Sequence, residues 1–184
     1  PFYPYLLSII FWFTPNNLLA VYIMQLAMSI CSVVLIYSVG KRIYGERAGL
    51  IAAGFSLLYS PLTFFETKIL PTTTGIFLGL LSIYLLTRAE QEKKWYYWMG
   101  GAATLGVAAL CRPNYLLMIP LRIVGILVVH RRRLRETVIP ILILILVLSV
   151  TIGTVTLRNY VGGYDFVLFS ANGGISFAQG HNPW

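Results

Sequence analysis

Charge is the scarcest property of this chain: only 11% of its 184 residues are Asp, Glu, Lys or Arg, and only six of those are acidic. Soluble domains carry about a quarter of their residues as charge. A water-facing globular domain is therefore excluded, and no soluble insert, internal repeat or low-complexity linker interrupts the chain. Cysteine is equally sparse. Cys31 and Cys111 both fall inside apolar stretches, where free thiols behave as small hydrophobes. They imply neither a disulfide framework nor a thiolate metal site. Strict apolar–polar alternation is also missing, which disfavours an outer-membrane barrel, and backbone satisfaction in lipid then leaves helices.

What is abundant is apolar sequence. Hydrophobic residues make up 58% of the chain, in runs long enough to cross a hydrocarbon core that needs about 20 residues of helix. The fold class expected is all-α, a polytopic transmembrane helix bundle. Phe2 to Phe13, aromatic-rich and stopped by Thr14-Pro15-Asn16-Asn17, is too short to cross and reads as an interfacial helix. Six spans follow, at about Leu18–Val39, Ala48–Phe65, Pro71–Leu86, Trp95–Leu110, Tyr115–Val129 and Val138–Leu157. Pro71 suits a first helical turn, and Arg112-Pro113-Asn114 stops the fourth span. Residues 1–157 are expected to form the membrane module, and 158–184 a juxtamembrane segment outside it.

Basic residues set the orientation. Lys41, Arg42 and Arg47, then Arg88, Lys93 and Lys94, then Arg131, Arg132, Arg133 and Arg135 lie in alternate loops, while the opposite loops hold only Lys68, Arg112 and Arg158. Lys and Arg accumulate on the cytoplasmic side, so the second set faces outward. The net charge of +8 is thereby accounted for by topology and anionic headgroups, and nucleic-acid binding is not expected. Arg122 lies within the fifth span and is expected to reach the cytoplasmic headgroups or an internal partner.

Glu66 then stands out. It is the one carboxylate before Tyr160 that these loop charges place outside, between two long apolar runs where a bland polar residue would serve as well. Around it the outer face collects Lys68, Arg112, Asn114, Arg158, Asn159, Asp165, Asn172, His181 and Asn182. Such a mixed set can bind a phosphate through cations and a metal or hydroxyl through carboxylates. Each member also has a plainer reading. Arg112 and Arg158 would cap helices and snorkel to headgroups, Glu66 would pair locally with Lys68, and His181 would be an ordinary loop residue.

The order of several segments resembles the GT-C superfamily of membrane glycosyltransferases, within it the dolichyl-phosphate-mannose–protein mannosyltransferase type and its bacterial relatives. The segments are Pro1-Phe2-Tyr3-Pro4-Tyr5-Leu6-Leu7, the run from Gly40 to Ala53, the acidic Phe65-Glu66 loop, and Gly101 to Leu110 followed by Arg112-Pro113-Asn114. Leu157-Arg158-Asn159-Tyr160, Asn172-Gly173-Gly174 and Gly180-His181-Asn182-Pro183 are similar to the stretch after the seventh helix in bacterial members.

The resemblance implies a sugar transferred from a polyprenyl-phosphate carrier to an acceptor on the exterior side, with inversion and with a divalent metal ion (Mg, Mn or Zn). A carboxylate would deprotonate the acceptor hydroxyl while cations stabilise the departing phosphate. It further implies that the chain is a fragment, because the family's principal acid lies before the stretch matched by Pro1–Leu7. Glu66 matches a second carboxylate, for metal or acceptor; where many members have a further acid this chain has Thr72. Lys68, Arg112, Arg158, Asn159 and Asn172 would hold the lipid phosphate or substrate, and His181 would join Glu66 at a metal. Partners implied are the lipid-linked donor, membrane lipids and an unidentified acceptor, in a bacterial inner membrane with the site facing the periplasm. Two other classes fit the composition: a structural subunit packed on neighbouring membrane subunits, and a lipid or solute transporter.

Overall fold

The computed structural model describes residues 2–15, 17–59, 68–130 and 134–163. Seven α-helices account for nearly all of them: α1 Phe2–Phe13, α2 Leu18–Tyr44, α3 Glu46–Leu58, α4 Pro71–Glu92, α5 Trp95–Cys111, α6 Met118–His130 and α7 Leu134–Gly163, with a 3-10 turn at Pro113–Leu117. The described residues contain no strand. The all-α expectation holds.

Breaks between helices follow local chemistry. Thr14 turns its hydroxyl back onto the Ile10 carbonyl at 2.8 Å, Pro15 cannot continue the helix, and the Asn17 side chain accepts from the Leu19 amide at 3.0 Å to start α2. Gly45, at φ 93°, lets α2 end and α3 begin one residue later. The apolar run of α4 fades near Leu86, yet the helix continues to Glu92 because Arg88 and Glu92, one turn apart, pair at 2.7 Å. Lys93 then takes the left-handed conformation at φ 53° and donates its amide to the Ala89 carbonyl.

Among the described residues three helices are long and apolar enough to cross a bilayer by length and composition: Leu18–Tyr44, Pro71–Glu92 and Thr137–Gly162. The fourth and fifth expected spans correspond to the shorter α5, of 17 residues, and α6, of 13. The described part of α3 has 13, and the remainder of the expected second span lies outside the described residues.

The bundle is inside-out relative to a soluble protein. Large apolar side chains spaced four apart, Leu18, Tyr22, Leu26, Ile30 and Val34 on α2 and Val138, Leu142, Leu146 and Val150 on α7, are exposed, while Gln25, Ser32, Thr74 and Ser82 are buried. That is the partition expected where the solvent is hydrocarbon. Cys31 likewise lies on the outer surface of α2, and both cysteines are free.

The central core joins α4, α5, α6 and α7 through Leu86, Trp98, Ala102, Leu105, Ile126, Leu144 and Leu148. Small residues bring the axes close. A Cβ added at Gly101 would lie 2.6 Å from Leu86 Cγ, and the Ser82 hydroxyl donates to the Gly101 carbonyl at 2.8 Å across the same crossing. α2 and α3 meet through Gly40 and Gly49, where a Cβ on Gly40 would sit 2.9 Å from the Gly49 Cα.

Candidate functional site

The two ends of the bundle differ chemically. At one end α2 and α4 finish and α3 and α5 begin. Arg42 donates to the Gln91 side chain at 2.9 Å, and Gln91 returns a bond to the Arg42 carbonyl at 3.3 Å. The loops around 40–47 and 88–94 therefore lie together, as the charge alternation requires. Arg122 reaches this end from within α6 and pairs with Glu90 at 3.3 Å, so a guanidinium inside a span meets an internal partner and not the headgroups. Its Nη2 is buried, with no hydrogen-bond partner among the described residues.

The opposite end holds the described members of the outer set. Arg112 ends α5 in extended backbone, because Pro113 disfavours a helical conformation in the residue before it. Its Nη2 donates to the Thr72 hydroxyl at 2.7 Å, in the first turn of α4. Thr72 is thus a buried threonine that braces a cation. Tyr115 follows in the 3-10 turn, its ring lying over Gly75 and Gly79 of α4; a Cβ at Gly79 would come within 2.5 Å of that ring. The Arg158 guanidinium stands 4.9 Å from the centroid of Tyr5, tying the end of α7 to α1.

Gln25 is a further constituent of this end, and the sequence reading does not single it out. It is fully buried, and its Nε2 lies 3.0 Å from the Lys68 carbonyl, 3.5 Å from the Leu70 carbonyl and 3.3 Å from the Tyr3 hydroxyl. One amide thus ties α1 and α2 to the segment that enters α4. Burial also raises the Tyr3 pKa, so its phenol stays protonated within this network. Gln25 Oε1 is buried without a partner among the described residues. The signal was available: Gln25 is the one amide between Leu18 and Val39, and a polar side chain inside a span calls for a partner.

Of the residues expected at the site, Lys68, Arg112, Arg158 and Asn159 are described, and all four lie at the ends of elements on this face. Lys68, Arg112 and Arg158 are exposed and Asn159 is half-buried. Glu66, Asn172 and His181 lie outside the described residues. Among the described residues no three His, Cys, Asp or Glu side chains converge as a metal site would require. They do not themselves supply a donor set for a divalent ion.

Along α7 the surface opens into a largely apolar groove of about 740 Å³, lined by Ile145, Leu148, Ile152, Leu157 and Tyr160 with Ser149 and Thr156 among them and Ile119 at its side. Arg158, turned to Tyr5, is not part of its lining.

Neither the curated proteins nor the solved structures compared with this chain gave a match. Residues 1–155 do match the family model described as dolichyl-phosphate-mannose-protein mannosyltransferase. That match covers most of the chain and agrees with its helical membrane architecture. The chain belongs to this family of membrane glycosyltransferases.

Proposed function

We propose that the chain forms the membrane core of a transferase that takes a sugar from a polyprenyl-phosphate carrier and passes it to an acceptor on the outer, periplasmic face. The observation that carries this reading is the apolar groove along α7, in a chain of the membrane glycosyltransferase family. Its lining runs from Ile145 to Tyr160 and is almost wholly apolar, which suits the isoprenoid tail of such a carrier. Arg158, turned toward Tyr5 on α1, stands at the same end of α7 as Tyr160.

Arg158 and Arg112 would receive the phosphate as it departs. Negative charge grows on the phosphate oxygens as the glycosidic bond breaks, so cations already in place stabilise the transition state more than the ground state. Thr72 holds Arg112 in position at 2.7 Å, which lowers the reorganisation needed at that moment. Lys68, Asn159 and Asn172 would hold the remaining polar contacts of the substrate. Glu66 would act as a second carboxylate, at the acceptor or at a metal, beside the family's principal acid as the base. A divalent ion held by Glu66 and His181 belongs to the same proposal.

The test is transfer of radiolabelled sugar from a polyprenyl-phosphate donor by the full-length protein in membranes. Arg158→Gln is expected to raise KM for the donor and lower kcat, and Glu66→Gln to lower kcat at unchanged protein level. Transfer by both variants at the wild-type rate would overturn the assignment of these residues. No transfer from any donor by the wild type would favour a structural subunit.

A further inference from the structure

The end of the bundle opposite this site carries a second, independent constellation. Glu92 is approached by three cations: Arg88 Nε at 2.7 Å, Lys94 Nζ at 3.7 Å and Arg42 Nη2 at 3.9 Å. Only Arg88 is close enough for a strong charge-assisted bond. Arg42 and Lys94 sit at the outer limit of ion pairing, so one carboxylate leaves most of two positive charges uncompensated. Among the described residues, two other acids at this end are engaged elsewhere: Glu46 with Lys41 at 3.3 Å and Glu90 with Arg122 at 3.3 Å. Helix dipoles do not alter the balance, because α2 and α4 end here while α3 and α5 begin here, and their partial charges offset one another.

The cations are also held in place. Arg88 lies 4.3 Å from the Tyr97 ring centroid and 5.8 Å from that of Tyr84, Arg42 lies 5.4 Å from the same Tyr84 centroid, and Lys94 lies 5.8 Å from that of Tyr96. Packing against rings reduces the rotamer freedom an anion would otherwise have to freeze. The Tyr96 hydroxyl, and Glu92 after it, hold the Lys94 ammonium above its usual pKa, so it is charged throughout the neutral range. Immediately beside Lys94, Trp95 is 64% exposed and Tyr96 45% exposed, an arrangement that places amphipathic rings at headgroup depth.

We propose that Arg42, Arg88 and Lys94, with Trp95 and Tyr96 at their edge, form a binding site for the phosphodiester headgroup of an anionic phospholipid. A phosphodiester brings one negative charge and non-bridging oxygens that both Arg42 and Lys94 can reach without breaking the Arg88–Glu92 pair. Its acyl chains would run along the exposed apolar surface of α2 and α5. The site is separate from the proposed catalytic face and does not depend on the transfer reaction.

Glu92 provides a sign test, since it competes with the lipid for the same cations. Full-length protein in neutral detergent would be titrated with phosphatidylglycerol, with phosphatidylcholine and with inorganic phosphate, and the bound lipid counted by native mass spectrometry. Wild type is expected to retain phosphatidylglycerol preferentially. Lys94→Gln is expected to weaken it about fivefold, and Arg42→Gln with Lys94→Gln about 25-fold. Glu92→Gln is expected to tighten it severalfold, whereas a purely structural ion-pair cluster would be loosened by the same change and retain no more lipid. Equal retention of the two phospholipids by wild type, unchanged or weaker binding in Glu92→Gln, or inorganic phosphate binding as tightly as the lipid would each overturn the proposal. Because Lys94 is 53% exposed in its side chain, the single Lys94 variant keeps the test valid if the double variant does not fold.

Discussion

Replacing Gly49 with alanine should separate α2 from α3. In the structure a Cβ at Gly49 would lie 2.7 Å from the Tyr37 carbonyl oxygen and 2.8 Å from the Lys41 amide nitrogen. Both are backbone atoms of a long helix and cannot rotate away. Ordinary contact begins near 3.4 Å, so the axes would have to part by several tenths of an ångström along a crossing that Gly40 keeps equally tight. Overpacking of this kind costs about 1–3 kcal/mol. Alanine recovers up to about 1 kcal/mol over glycine in a helix interior, leaving a net loss of about 0–2 kcal/mol. Gly54, on the same helix, has open space for 4 Å around the point a Cβ would occupy, so Gly54→Ala collects the propensity gain alone. The two variants should differ by the overpacking cost, about 1–3 kcal/mol, or roughly 2–12 °C in Tm at about 2–4 °C per kcal/mol. Thermal unfolding of the full-length protein in one detergent, followed by loss of the monodisperse species, measures this directly. A Gly49→Ala protein as stable as Gly54→Ala would refute the close α2–α3 approach.

Three further outcomes are expected. Gln25→Ala removes the donor shared by Lys68, Leu70 and Tyr3 and opens a cavity, and should lower stability by about 2–4 kcal/mol; an unchanged midpoint in denaturant would show that the amide is not a structural tie. Thr72→Val keeps the volume but removes the acceptor of Arg112, so donor KM should rise severalfold while the amount of folded protein is retained; equal kinetics would detach Thr72 from the site. Asn17→Ala removes the side-chain cap of α2 and should cost about 1 kcal/mol, read as a small drop in Tm.

Composition and periodicity alone determined the class of this protein. Apolar runs, scarce charge and alternating basic loops dictate a helical membrane bundle with two chemically different ends, because lipid admits no unsatisfied backbone and headgroups attract cations. Helix starts at Leu18, Pro71 and Trp95 were legible, since Asn17, Pro71 and the charged turn before Trp95 act within a few residues. The length of α4 was not, because an Arg88–Glu92 pair extended it past the end of its apolar run. Only tertiary structure gave Arg122 its Glu90, Arg112 its Thr72 and Gln25 its three acceptors, partners 32, 40 and 43 residues away in the case of Glu90, Thr72 and Lys68. Sequence patterns report what a residue requires of its surroundings, a partner for a buried amide or guanidinium. Which residue meets that requirement depends on which helices pack together, and that is decided by the close approaches at Gly40, Gly49, Gly79 and Gly101 that no local pattern encodes.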